Sequence, residues 1–193
     1  MPSKKLTREK IAEAALALTA ESADGSFSLR ELAHTLGVKA SSLYNHYSGF
    51  EEIQQEVALR VSALMNKALG DAIAGREQDE AFLAGADAYR KFADENRGLY
   101  TALIRMPSFN DEKIRRASRE SYAPLRAVIR SYGKEKDATI HFNRAFRSAM
   151  HGFVELTANQ FMQRGAVKKD ETYRLMVRGY LNYLKGLPEN EKV

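Results

Sequence analysis

Residues Phe27–Tyr47 read FSLRELAHTLGVKASSLYNHY, and this stretch decides the fold. Ser28 stands just before Leu29 and three residues before Glu31. That spacing predicts a capping box: the Ser28 hydroxyl accepts from the Glu31 N–H, and the Glu31 carboxylate accepts from the Ser28 N–H. Phe27 and Leu32 hold the staple positions around the cap. Leu29, Leu32, Ala33 and Leu36 share one face of a helix over 28–36. Gly37 ends it, because the residue past a helix end often needs a positive φ, which glycine adopts at little cost. Val38 is placed under the turn. Leu43 and Tyr47, four apart, give a second short helix over 39–46 an inward side. Lys39, Ala40, Ser42, Tyr44, Asn45 and His46 are left mostly outward. Two short helices across a tight turn, the second opening with small polar residues, make a helix-turn-helix.

The outward set suits a duplex. Small residues at the helix start allow close approach to the major groove. Ser, Tyr, Asn and His hydrogen-bond base edges or phosphate oxygens. Arg30, at the start of the first helix of the pair, is placed to reach a guanine or a phosphate. The same spacing also suits any pair of amphipathic helices that packs on a protein, so the residues alone leave that alternative open.

The segment resembles the TetR family of transcriptional regulators, whose N-terminal domain carries a pattern like LRELAxxLGVxxxSLYxHF. Here Leu29-Arg30-Glu31-Leu32-Ala33, Leu36-Gly37-Val38 and Ser42-Leu43-Tyr44-Asn45-His46-Tyr47 match it, within about residues 7–56. The resemblance implies that Lys39, Ala40, Ser41 and Ser42 face bases, that Tyr44 and His46 hold phosphates, and that Arg30 reads a base. Lys4, Ser28 and Asn45 complete the expected DNA-binding set. One position departs from the family: Phe50 opens the next helix where Lys is frequent, so a phosphate clamp is missing there. Backbone N–H groups at that helix start remain available to a phosphate.

A second resemblance lies downstream. Ala88-Tyr89-Arg90-Lys91-Phe92-Ala93, Gly98-Leu99-Tyr100 and Met150-His151-Gly152-Phe153 are similar to a C-terminal type in the same family named for a Trp-His-Gly motif. Met150 stands where the Trp would be. The resemblance implies an all-helical ligand-sensing and dimerising domain.

Composition bounds the rest. The 193 residues suffice for a small module and one sizeable core. Without cysteine there is no disulfide framework and no thiolate metal site, as suits a cytoplasmic protein. No apolar stretch approaches the roughly 18 residues that span a membrane. Lys4, Lys5 and Arg8 precede an alanine-rich run, but Glu9 and Glu13 interrupt it. This is a first helix capped by Thr7 rather than a signal peptide. Net charge is +5, yet residues 1–49 carry only +1 and residues 101–136 carry +5. DNA binding is therefore argued from the motif and the basic arm Lys4, Lys5, Arg8 and Lys10, not from bulk charge. The run Lys113, Arg115, Arg116 and Arg119 reads as a solvated helix face.

The whole chain is expected to be all-α, with about nine helices. An N-terminal three-helix DNA-binding domain, 1–49, precedes a helical-bundle domain for ligand binding and dimerisation, 50–193. The helices fall at 7–21, 28–36, 39–46, about 50–74, up to about 95, about 98–105, from an Asn110 cap through a break at Pro124, about 138–164 ended by Gly165, and about 169–186. The last two carry apolar stripes at helical spacing. Phe153, Thr157, Gln160, Tyr173, Met176, Val177, Tyr180 and Leu184 are the dimer candidates. A two-fold dimer places two reading helices about 34–36 Å apart and reads a near-palindrome. Tyr89, Phe92, Tyr100, Leu103, Phe142, Phe146, Met150, His151 and Phe161 are the sensing candidates, for an effector of unspecified chemistry, although an aromatic or Met stripe at helical spacing is usually core.

No Gly-rich phosphate loop, HExxH or Ser-His-Asp constellation is present, so no catalytic residue and no cofactor is assigned. His34, His46, His141 and His151 lack metal-ligand spacing. The expected partners are double-stranded DNA, a small-molecule effector and a second copy of the chain. An all-helical protein-interaction module, or a small helical enzyme, is the alternative.

Overall fold

Thr7 accepts the Lys10 N–H at 3.3 Å and starts helix α1, Arg8–Glu21. The capping box at Ser28 is complete: the Glu31 N–H donates to the Ser28 hydroxyl at 3.1 Å, and the Ser28 N–H donates to Glu31 Oε2 at 2.7 Å. It opens α2, Leu29–Thr35. Gly37 takes φ +66 and turns the chain. These elements belong to a computed structural model that describes residues 6–105, 112, 120–163 and 167–189.

The segment expected as an ordinary helix over 39–46 is a 3-10 helix, Ala40–Asn45. It has six residues and no side-chain cap, so it closes with i→i+3 bonds such as Ser42 N–H to Lys39 O at 2.9 Å. Next come α3, Phe50–Ile73, α4, Gln78–Glu95, and α5, Arg97–Ile104. Helix α6, Ala123–Arg130, starts after Tyr122, which adopts a left-handed φ of +63. Pro124 sits in the first turn of α6, where its missing N–H costs no helical bond. Helix α7, Lys136–Ala158, and helix α8, Lys169–Lys185, follow.

Helix α7 is shorter than its apolar spacing suggests. Gln160 takes φ +62, and the Phe161 N–H turns back to Leu156 O at 2.9 Å. A left-handed residue after the last turn closes a helix, so Ala158 rather than Gly165 marks the end. The helix also starts at Lys136 rather than about 138, with Glu135 before it making no side-chain cap bond and Asp137 in its first turn. Lys4, Lys5, Asn110, Gly165 and the Lys113–Arg119 run lie outside the described residues. Among the described residues there are eight α-helices and one 3-10 helix, with one isolated β-bridge between Lys134 and Glu189. No described helix is long and apolar enough to cross a membrane.

The chain divides into two compact units, and the cut falls inside α3 after Met65. The first unit takes the described parts of 1–65 and 95–121, so it holds the helix-turn-helix, most of α3 and all of α5. It is thus larger than residues 1–49. Its core buries Ile11, Ala15, Leu32, Leu43, Tyr47, Ile53, Val57 and Tyr100. Helix α5 crosses the end of α1 backbone to backbone. A Cβ at Gly98 would lie 2.1 Å from Thr19 O and 2.2 Å from Ser22 O, and one at Gly25 would lie 2.4 Å from Gly98 O. Only glycine fits at either position.

The second unit takes the described parts of 66–94 and 122–193. Its centre is aromatic. Phe82 stacks on Phe146 at 4.8 Å, and Phe142 stacks on Phe146 at 5.7 Å. Arg90 of α4 lies over Phe153 of α7 and Tyr173 of α8, at 5.3 and 4.9 Å. It also pairs with Asp170 at 2.6 Å. One cation thereby joins three helices, because a guanidinium can meet ring faces and a carboxylate together.

Candidate DNA-reading surface

Leu43 and Tyr47 are buried at 1% and 3% exposure, which sets which side of the 3-10 helix faces in. Tyr44 between them is 55% exposed. Lys39, Ser41 and Asn45 are exposed as well, and Ala40, Ser42 and His46 are half-buried. Arg30 projects from the start of α2 into solvent. Among the described residues, the side chains of Arg30, Lys39, Ser41, Ser42, Tyr44, Asn45 and His46 make no hydrogen bond or ion pair. A row of polar groups with free donors and acceptors, set on a rigid turn, is what a base or phosphate contact requires. Ser28 differs: its hydroxyl oxygen already accepts from the Glu31 N–H.

A clasp behind this surface holds it in place. The Arg8 guanidinium lies 4.0 Å over the Tyr47 ring, donates to His46 O, and pairs with Glu52 at 2.8 Å. The Tyr47 hydroxyl donates back to Arg8 O at 3.1 Å. Glu52 accepts the Ser48 N–H at 2.7 Å and the Ser48 hydroxyl at 2.9 Å. Those Ser48 bonds, with the Arg8 contact, bring the Glu52 carboxyl down to about 2. Further along α3, Arg60 makes a fork on Glu9 at 2.7 and 2.8 Å and also binds Glu56. Helix α1 is thereby fixed to α3 at two points, one of them behind the inner edge of the 3-10 helix.

Phe50 has a packing role. Its ring meets Phe27 edge-on at 5.1 Å and pins the approach to α2 against the start of α3. The Ser48 N–H just before that start is satisfied by Glu52, and Glu51 and Glu52 fill the first turn with negative charge. This helix start is therefore poorly suited to a phosphate, in contrast to the expectation from its backbone alone. Sequence reasoning missed the Arg8–Tyr47–Glu52 clasp, the Arg60–Glu9 fork and the Phe27–Phe50 pair. All join residues more than twenty apart, for which local spacing carries no signal.

The sensing candidates divide between the units. Tyr100 and Leu103 are buried in the first, while Tyr89, Phe92, Phe142, Phe146 and Met150 are buried in the second. His151 is half-buried, and Phe161 is 75% exposed past the end of α7. The dimer candidates split too. Phe153, Tyr173, Val177 and Leu184 lie within the chain's own core. Thr157, Met176 and Tyr180 are not buried with them, and Gln160 is exposed. The open sides of these helices hold other residues. Leu156 and Leu175 are 45% and 65% exposed, Tyr183 is 54% exposed, and no atom lies within 4 Å of a Cβ placed at Gly152 or Gly179.

Comparison with known proteins agrees with this geometry. A family profile described as tetracyclin repressor-like, C-terminal domain, matches residues 82–180. The HTH-type transcriptional regulator Rv0681 of Mycobacterium tuberculosis is 39% identical over 153 residues, 79% of this chain and 70% of that protein. The HTH-type transcriptional regulator YobS of Bacillus subtilis is 30% identical over 97% of this chain and 95% of its own length. Among solved structures, the TetR-type regulator SCO7222 of Streptomyces coelicolor superposes with a TM-score of 0.74 at 18% identity, covering 96% of this chain and 100% of that one. PfmR of Thermus thermophilus, a TetR family regulator, gives 0.60 at 23% identity over 89% and 97%. The family profile and the curated relatives define the class, a helix-turn-helix transcriptional regulator that binds DNA. The chain belongs to the TetR family.

Proposed function

We propose that this regulator acts as a cytoplasmic homodimeric repressor, released from a near-palindromic operator by a small-molecule effector. Residues 1–49 read the DNA, and residues 50–193 supply sensing and dimerisation. The observation that carries the reading is the set Arg30, Lys39, Ser41, Ser42, Tyr44 and Asn45, exposed or half-exposed and without an intrachain partner among the described residues, beside buried Leu43 and Tyr47. Lys4 adds a basic arm. Nothing in this surface calls for catalysis, and the related proteins carry the name of transcriptional regulators.

The dimer reading rests on two stripes. Gly152 and Leu156 are one turn apart on α7; Leu175, Gly179 and Tyr183 are successive turns on α8. Each stripe pairs an exposed apolar side chain with a glycine beside open space, which lets a partner helix approach closely. Such self-complementary faces suit a two-fold axis. Sedimentation as a monomer at the concentration that binds DNA would overturn it.

Effector binding among Tyr89, Phe142, Phe146 and Met150 requires the stacked rings to part, because these side chains are fully buried. A ligand that stabilises the parted form shifts a two-state balance. Helix α3 is the carrier: it supplies residues to both compact units. Selection of bound duplexes from a randomised pool, at fixed salt, tests the whole reading. An enriched near-palindrome is expected; a folded dimer that enriches nothing, after mass analysis shows no retained ligand, would overturn it.

A further inference from the structure

A crevice of about 170 Å³ opens within the first unit, and no step of the DNA-reading function uses it. Its lining includes Val57 and Ala58 of α3, Ala102 of α5 and Phe27, with Thr19 of α1, whose hydroxyl donates to Ala15 O, buried beside them. Its rim is polar and carries Asp24, Glu51, Gln54, Gln55 and Arg105. The volume is close to that of the roughly 150 Å³ cavities that hold a benzene-sized guest. A mainly apolar lining with a few convergent polar groups is the usual form of a small-ligand site.

The rim chemistry selects the ligand. Glu51, Gln54 and Gln55 have no side-chain partner among the described residues. Arg105 is already drawn onto the carbonyl of Asp24 at 3.3 Å. The Asp24 carboxylate is fixed by the Ser22 hydroxyl at 2.7 Å, the Ser26 hydroxyl at 2.6 Å and the Ser26 N–H at 3.0 Å, all on Oδ1. Its second oxygen has no such bond. The Ser26 and Ser22 contacts keep this group charged down to about 2. Two acidic residues thus line the opening against one guanidinium, which keeps its charge and acts on Asp24, so the lining carries one excess negative charge.

We propose that this crevice is a binding site for a small organic cation, an ammonium or amidinium group carried on an apolar body of benzene size. The body would sit on Val57, Ala58 and Phe27, with the cation against Glu51 and the free oxygen of Asp24. The wall it touches includes Gly25 and Ser26, in the loop that leads into the Ser28 cap, so occupancy braces the approach to α2. That consequence rests on the DNA-reading assignment; the binding itself does not.

The test is titration of the isotope-labelled full-length protein with benzylamine, benzyl alcohol and benzoate, followed by backbone amide shifts. A ligand of roughly eight non-hydrogen atoms is expected to bind in the millimolar range. Benzylamine should give saturable shifts centred on Gly25, Ser26, Gln54, Gln55 and Ala102, with benzyl alcohol weaker. Glu51→Gln, an exposed change that leaves the core untouched, should weaken benzylamine by about threefold, the size of an exposed ion pair, and leave benzyl alcohol unchanged. Benzoate binding as well as benzylamine would overturn the cationic class. Shifts centred elsewhere, no saturable shift with any probe, or an unchanged benzylamine affinity in Glu51→Gln would overturn the site.

Discussion

In the first unit charged side chains tie α1 to α3, whereas in the second stacked rings hold α4 to α7, with the Arg90 cation added across α4, α7 and α8. Arg8 and Arg60 link α1 to α3 through Glu52, Glu9 and Glu56. Phe82, Phe142 and Phe146 lock α4 to α7 with no charge among them. The difference follows from what each unit has to leave uncovered. A short 3-10 helix that turns most of its side chains outward offers only Leu43 and the adjoining Tyr47 for burial. Directional bonds from Arg8 then fix its position, where area alone would not. A long amphipathic pair such as α7 and α8 has enough apolar face for packing to suffice.

The comparison breaks most sharply at Phe146. Its ring is 1% exposed and stacked on two others, so Phe146→Ala should cost about 3–5 kcal/mol by urea unfolding. A loss below about 1 kcal/mol would mean that the aromatic centre is loosely packed and already open to a ligand. Gly98→Ala comes next. The added methyl meets two carbonyl oxygens at 2.1 and 2.2 Å, and backbone cannot rotate away as a side chain can. The expected cost is about 1–3 kcal/mol, with DNA affinity falling in the same variant. Full retention of both would show that α5 and α1 can separate freely.

Glu52 tests the polar side of the contrast. Because its folded pKa is depressed to about 2, the stabilisation is complete above the ordinary carboxylate value of 4.5 and is lost as pH falls toward 2. Glu52→Gln should therefore lower stability by about 1 kcal/mol near neutral pH. The gap to the parent protein should close between pH 4.5 and 2, read as two melting-temperature curves that converge in acid. Parallel curves would place the acid sensitivity on another carboxylate.

How legible these features were depends on their reach along the chain. The Ser28 capping box and the Gly37 turn are settled by residues within four positions, and both stand as read. The outward and inward sides of residues 39–47 were legible for the same reason, although the 3-10 winding was not, since spacing cannot distinguish two helical forms over six residues. The end of α7 at Ala158 was hidden because a left-handed glutamine has no strong sequence signature. The clasp joins Arg8 to partners 38 and 44 residues away, and the glycine crossing brings residues 25 and 98 together. Periodicity marks the stripe on α8 but not what covers each half. Tyr173 and Val177 went to the core, while Leu175 and Gly179 stayed open.

The smallest expected change in stability is also the most specific one. Tyr44 and Tyr47 are three residues apart around the end of one short helix, with 55% and 3% exposure. Tyr47 touches Arg8 through its ring face and its hydroxyl; Tyr44 touches no polar partner among the described residues. Tyr44→Ala should stay within about 0.5 kcal/mol of the parent protein in unfolding, yet lose at least about tenfold in affinity for a selected duplex, the value of one good charge-supported contact. The duplex measurement needs constant salt, because phosphate contacts weaken steeply as salt rises. If Tyr44→Ala instead unfolds the protein as Tyr47→Ala should, the two tyrosines share one structural role and the outward face is not a reading face. If it changes neither stability nor affinity, Tyr44 takes no part in duplex contact, and the outward polar set that reads DNA excludes it.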